Sequence, residues 1–246
     1  MKARHIIALA LACAQQLAMA AEAAWPEVAL PPGASSYSIG QQVSMDGLPM
    51  QMQGFTSSAP LSVTADWFRR HMDKPLMENH VGDKLVLGRA RDSYYITIQL
   101  EQVAGGTRGV VSVSDFKAAL MQRAATAAAR ERVLSRFPSG TRVLTAMAST
   151  DAARSSSYVA LANHYSEDVN RQRVLDLLRE DGMELEREER PGADAAAIPG
   201  LPAGATAGRA LFFRGRGREA IAVISRAPDS SVTVVLNTIT TMEKFK

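Results

Sequence analysis

One cysteine occurs in the 246 residues, Cys13, and it lies within the first twenty. Anything that folds downstream has no disulfide and is held by its core alone. Long apolar runs are missing too. The one candidate, Ile6 to Ala14, has about nine residues, roughly half of what a membrane-spanning helix needs. It follows Lys2 and Arg4 and ends at Ala18-Met19-Ala20, the charged, apolar and small-residue order of a secretory signal peptide over residues 1–20. Cleavage before Ala21 is the preferred reading; lipid attachment at Cys13, after Ala10-Leu11-Ala12, would leave an unusually short leader. The four asparagines lie outside any N-x-S/T pattern, which fits a bacterial envelope protein, and the periplasm is the expected address. Excess charge of one sign is also lacking. Without Lys2 and Arg4 the formal charge falls from +3 to +1 (3 − 2), so nucleic acid is a poor partner.

Catalytic signatures are equally sparse. There is no G-x-S-x-G elbow, and the cysteine leaves with the leader,. His71, His80 and His164 remain, with no serine placed beside them by any motif, so a hydrolase of unrecognised type is only the third hypothesis. "MELEREER" (Met183 to Arg190) reads as a solvated sheet edge rather than a pair of glycosidase carboxylates,. "RGRGREA" (Arg214 to Ala220) satisfies G-x-G-x-x-A, yet a dinucleotide loop must open a helix. Here "IAVIS" follows, a β-branched strand sequence, so Gly215 to Gly217 is read as a hairpin turn,. No cofactor is expected. Metal is the second hypothesis: Met50, Met52, His71 and His80 offer thioether and imidazole, a copper(I) donor set. Residues two apart on a strand, as Met50 and Met52 are, also fill one core face, and packing is the preferred reading.

What is present is internal similarity. "LPPG" (Leu30 to Gly33) recurs as "FPSG" (Phe137 to Gly140), and each is followed by two strand-like stretches and a helix. "SVTADWFRRHMD" answers "SEDVNRQRVLDLLRED", where Ser166 is a good N-cap and Val174, Leu177 and Leu178 form a stripe at helical spacing,. "KLVLGRARDSYYITIQL" then aligns with "ALFFRGRGREAIAVISR", and "GVVSVSD" with "VTVVLNT". The offset grows by roughly twenty residues after the helix, which places an inserted Pro/Gly/Ala-rich loop at 190–208,.

The expected fold class is α+β: two tandem β-β-α-β-β-β repeats, each an antiparallel sheet with one helix on a face, spanning 30–115 and 137–240 and joined by an Ala-rich helix at 116–136. The expected function is that of an exported, non-catalytic periplasmic accessory protein acting through protein–protein contacts in a secretion, pilus or outer-membrane assembly. Candidate binding residues are the hairpin-tip arginines Arg89 and Arg91, and Arg214, Arg216 and Arg218. If the repeats pack with twofold symmetry, both tips converge on one acidic envelope protein or on anionic lipid headgroups.

Overall fold

The computed structural model describes residues 25–151, 153–190 and 208–241. The expected leader at 1–20 and nearly all of the expected inserted loop at 190–208 lie outside the described residues. The order of elements is β1 (Ser35–Met45), β2 (Leu48–Ser57), α1 (Leu61–His71), β3 (Met77–Val81), β4 (Lys84–Arg91), β5 (Tyr94–Val103), β6 (Gly106–Asp115), α2 (Phe116–Leu134), β7 (Arg142–Thr150), β8 (Arg154–Asn163), α3 (Glu167–Glu180), β9 (Met183–Glu189), β10 (Gly208–Gly215), β11 (Arg218–Arg226) and β12 (Val232–Thr241).

Local chemistry accounts for these elements. Alternation makes β5 a half-buried strand, with Ile96, Ile98 and Leu100 buried and Tyr95, Thr97 and Gln99 on the other side. Asp46-Gly47 joins β1 to β2 with both residues at positive φ (50° and 82°), a tight hairpin geometry that an Asp-Gly pair adopts readily,. α3 is capped by the Ser166 hydroxyl, which accepts the Val169 N–H, and its stripe of Val174, Leu175, Leu177 and Leu178 is buried,. α2 is capped by the Asp115 carboxylate but buries no residue. α1 follows Pro60 and has no side-chain cap, so its hold on the molecule comes from Thr64, Ala65 and Phe68 beneath it.

Among the described residues all twelve strands belong to one antiparallel sheet, in the order β3-β4-β5-β6-β2-β1-β7-β8-β12-β11-β10-β9. This corrects the expected fold class. There are not two repeat sheets of five strands; β3 and β9 extend the flanks, and pairing of β1 with β7 makes the sheet continuous. α1 and α3 lie on the same face, over separate clusters. Phe55, Phe68, Leu87, Ile98 and Leu100 pack beneath α1, and Leu161, Val174, Leu178, Leu211 and Ile224 beneath α3.

The seam between β1 and β7 is short and staggered. It runs only from Gln42–Thr150 to Met45–Met147. With the β1–β2 turn defined as the upper end, β7 continues above the seam from Arg142 to Ala146, and β1 continues below it from Ser35 to Gly40. The sheet therefore has two steps. The upper one is covered: the Asp46 N–H donates to the Ala146 carbonyl (2.7 Å), the Asp46 carboxylate accepts from the Ala146 N–H (2.8 Å) and the Thr145 hydroxyl (3.2 Å), and Arg130 of α2 donates to the Val143 carbonyl (3.1 Å). Irregularities at Ser38–Gly40 and Gly40–Val43 bend β1 as it leaves the seam,.

Candidate interaction surface

The structure separates the arginine tips. Registers followed strand by strand place the β4–β5 turn at the upper end of its half and the β10–β11 turn at the lower end of the other. Nine strand intervals lie between β4 and β10, about 43 Å at ordinary strand spacing,. The two tips point in opposite directions and do not converge. Their arginines are also partly engaged within the fold. Arg89 is nearly buried against Asp73 (2.7 Å), Arg214 faces Glu186 at 3.6 Å, and Arg218 donates to the Asp181 carbonyl (3.2 Å). Arg91 and Arg216 are exposed.

The thioether and imidazole candidates are likewise apart. Met50 and Met52 lie on β2, on the face away from α1. His71 is stacked on Trp67 (4.2 Å between centroids) with its Nδ1 2.7 Å from the Trp67 carbonyl, and His80 is exposed on outer strand β3. Among the described residues no group of three His, Cys, Asp or Glu side chains is arranged to hold a metal ion.

A charged cluster that the sequence did not announce links α3 to β9 and β10. Arg171 donates to both oxygens of Glu188 (2.7–3.0 Å), and nearly buried Arg209 reaches Glu188 (3.3 Å) and Asp168 (2.9 Å). With Arg190 these residues line a recess of about 620 Å³. The network ties together the residues on either side of 191–207. The Arg171 hydrogen bonds hold the Glu188 carboxyl below its ordinary value, against the opposing effect of burial,. A lowered carboxylate pKa contributes stability that is present above the unfolded value, near 4.5, and lost as pH falls through the folded one,. Glu188→Gln is therefore expected to cost about 1–3 kcal/mol at pH 7. That gap from the unchanged protein should close as denaturation is repeated at successively lower pH below 4.5; a gap constant with pH would refute the linkage.

The broadest surface is the sheet face opposite α1 and α3, here called the open face. Cross-strand partners place Tyr37, Val43 and Met45 of β1, Met50 and Met52 of β2, Met147 of β7 and Tyr158 of β8 on it. It continues through Val235 of β12, Val223 and Ile221 of β11 and Phe212 of β10. Ala160, Ala210, Val223 and Val235 are buried among their neighbours, whereas Tyr37 (47 %), Met45 (39 %), Ile221 (39 %) and Met147 (36 %) stand exposed. Charged side chains keep to the margins of this face: Arg142 at the upper end of β7, Lys84, Glu101, Arg108 and Arg154 at the lower end, and Arg187, Glu189, Arg214 and Glu219 on the β9–β11 flank. Arg187 lies over the Phe212 ring, 3.9 Å from its centroid. α2 skirts the upper rim, where Phe116 meets Tyr95 and Thr126 meets the Asp46-Gly47 turn. Met50 and Met52 were legible from their spacing as residues sharing one strand face; Met147 was not, because only pairing of strands about a hundred residues apart sets it beside Met45.

A second hollow, of about 750 Å³, lies on the α1 face between residues 25–28 and strands β1, β2 and β6. Trp25, Ser36, Ser38, Gln51, Gln53 and Val111 are among its walls. The chain matches no protein-family model, and no curated protein and no solved structure shows significant similarity to it. No helix among the described residues is long and apolar enough to cross a membrane.

Proposed function

We propose that this is an exported, non-catalytic protein of the cell envelope that works through protein–protein contacts made by the open face. One observation carries the reading: a sheet face spanning β2 to β12 that is uncharged across its middle and leaves methionine, tyrosine and isoleucine side chains in solvent. Contiguous exposed apolar surface of this kind marks interaction sites, and methionine adapts its shape to a partner without a fixed rotamer. Charge at the margins and none at the centre is the usual distribution in a protein interface. The leader-like sequence at 1–20 supports the compartment,.

The test is in-cell photo-crosslinking with a benzophenone side chain at Met147, compared with the same group at Arg70, which is exposed on α1. A discrete adduct with an envelope protein from position 147, absent from position 70, is expected, together with recovery of the protein in the periplasmic fraction. Equal adducts from both positions, or none, refute the reading. Met147→Lys should abolish the adduct formed from a probe at Met45, while stability stays within about 0.5 kcal/mol.

A further inference from the structure

We infer that the lower step of the sheet is a second binding site, independent of the open face, which takes an extended segment of another polypeptide as an added strand against β1. Below the seam, β1 continues through Ser35, Ser36, Tyr37, Ser38, Ile39 and Gly40 with β2 on one side, and among the described residues no strand pairs with its other side. All of these but Gly40 are exposed. A bare strand edge is a template for pairing with another chain, and proteins ordinarily protect it with charge, proline, short length or a covering element.

The other edges of this sheet are protected in those ways. β9 places five charged residues among its seven, and β3 is five residues long and carries Glu78 and His80. The upper step is covered by Asp46 and by Arg130 of α2. Among the described residues the lower step has no such cover. Ser35 to Gly40 contain no charge and no proline, and Tyr37 and Ile39 remain 47 % and 41 % exposed. Unsatisfied donors and acceptors along such an edge are best met by another strand, which supplies both in register.

The flanking side chains define what that strand carries. On the α1 face, Ser36 and Ser38 border the 750 Å³ hollow together with Gln51, Gln53 and the Trp25 indole. On the open face Tyr37 lies across Gly54. An incoming strand therefore presents hydroxyl or amide side chains to the hollow and β-branched or aromatic ones toward Tyr37. Among the described residues Glu27 is the only acidic group in the hollow's lining, so the segment is uncharged or carries a single cation at that point.

The test uses the full chain after its leader and a capped decapeptide alternating threonine or glutamine with valine. Two further peptides carry N-methyl groups on alternate residues, one on each parity, since methylation removes backbone donors from one edge at a time. Among residues 35–40, the amides that point away from β2 should exchange freely in the protein alone and become protected with the peptide, while those paired with β2 are protected throughout,. One methylated parity should bind at least tenfold more weakly, and the other within about threefold of the parent. Ile39→Lys should weaken binding at least tenfold at unchanged melting temperature, and Ile39→Thr should retain it. Protection of the amides that point away from β2 before peptide is added would overturn the proposal. The cause would then be the chain's own segments if protection is independent of concentration, and a second copy if protection rises with it. Equal binding of all three peptides, or no binding at millimolar peptide, would overturn it too.

Discussion

Asn170→Asp is expected to destabilise the protein by about 3–5 kcal/mol at neutral pH, although it exchanges one atom for another of similar size. Asn170 is fully buried on α3 and faces Asn163, nearly as buried at the end of β8. Each amide donates to the other's oxygen, at 2.8 and 2.9 Å. Asn170 donates its second hydrogen to the Ser166 carbonyl (3.0 Å), and Asn163 its second to the Thr141 hydroxyl (3.2 Å). The Asn163 oxygen also accepts the Tyr165 N–H (3.0 Å). The pair thus joins the start of β7, the end of β8 and the first turn of α3 with every donor satisfied. An aspartate at 170 has no donor, so it turns carboxylate oxygens toward the Asn163 and Ser166 oxygens in a site closed to water. Burial raises the pKa of such a carboxyl, and the sign of the pH dependence follows. The penalty for burying charge is absent below the unfolded aspartate value, where one O–H still leaves one of the two donated bonds unmade; it grows as pH rises through that value and is complete above the raised folded value,. Urea denaturation at pH 7 and pH 4 should show the variant recovering at pH 4. Stability within 1 kcal/mol of the unchanged protein at pH 7 would show that the amide pair does not hold this corner.

Local features were open to a reading of the sequence, and long-range pairing was not. Ser166 with Glu167 and Asp168 announces the start of α3, and the apolar strand after Ala220 shows that Gly215 to Gly217 turns a hairpin,. β3 escaped notice because all five of its residues are exposed, so it carries no alternation of apolar and polar positions. The seam escaped for a different reason. It depends on four residue pairs about a hundred positions apart and on one carboxylate, Asp46, which looks locally like an ordinary turn residue,. Without the seam the two halves look like separate sheets, and the arginine tips look free to converge. Pairing of β1 with β7 fixes the halves in opposed orientation and sends the tips to opposite ends. The candidate surfaces follow from that same pairing, since it brings Met147 beside Met45 and leaves Ser35 to Gly40 uncovered.

Phe68→Ala is expected to cost about 3–5 kcal/mol and to lower the melting temperature by about 6–20 °C. The physical case starts from how little else holds α1. Its N-terminus lacks a side-chain cap; the Leu61 N–H instead donates to the Gln102 side chain (3.0 Å) in an exposed contact. Beneath the helix Phe68 is completely buried, 5.8 Å from the Phe55 ring and 5.0 Å from Trp67 in an edge-on arrangement. Phe55 is also fully buried and presses on β6 where Gly109 leaves room; a Cβ there would stand 2.2 Å from its ring carbons. The pocket left by Phe68 therefore has one wall that is already in close contact with backbone and cannot move inward, so collapse is limited and the cavity cost is near its upper range. Hydrogen exchange separates two consequences. If the four-residue seam and α2 couple the halves into one cooperative unit, protection of the β10–β12 core falls together with that of α1 and β5. Loss confined to α1 and β3–β6, with β10–β12 unchanged, would mean that the continuous sheet unfolds as two units despite its single hydrogen-bonded order.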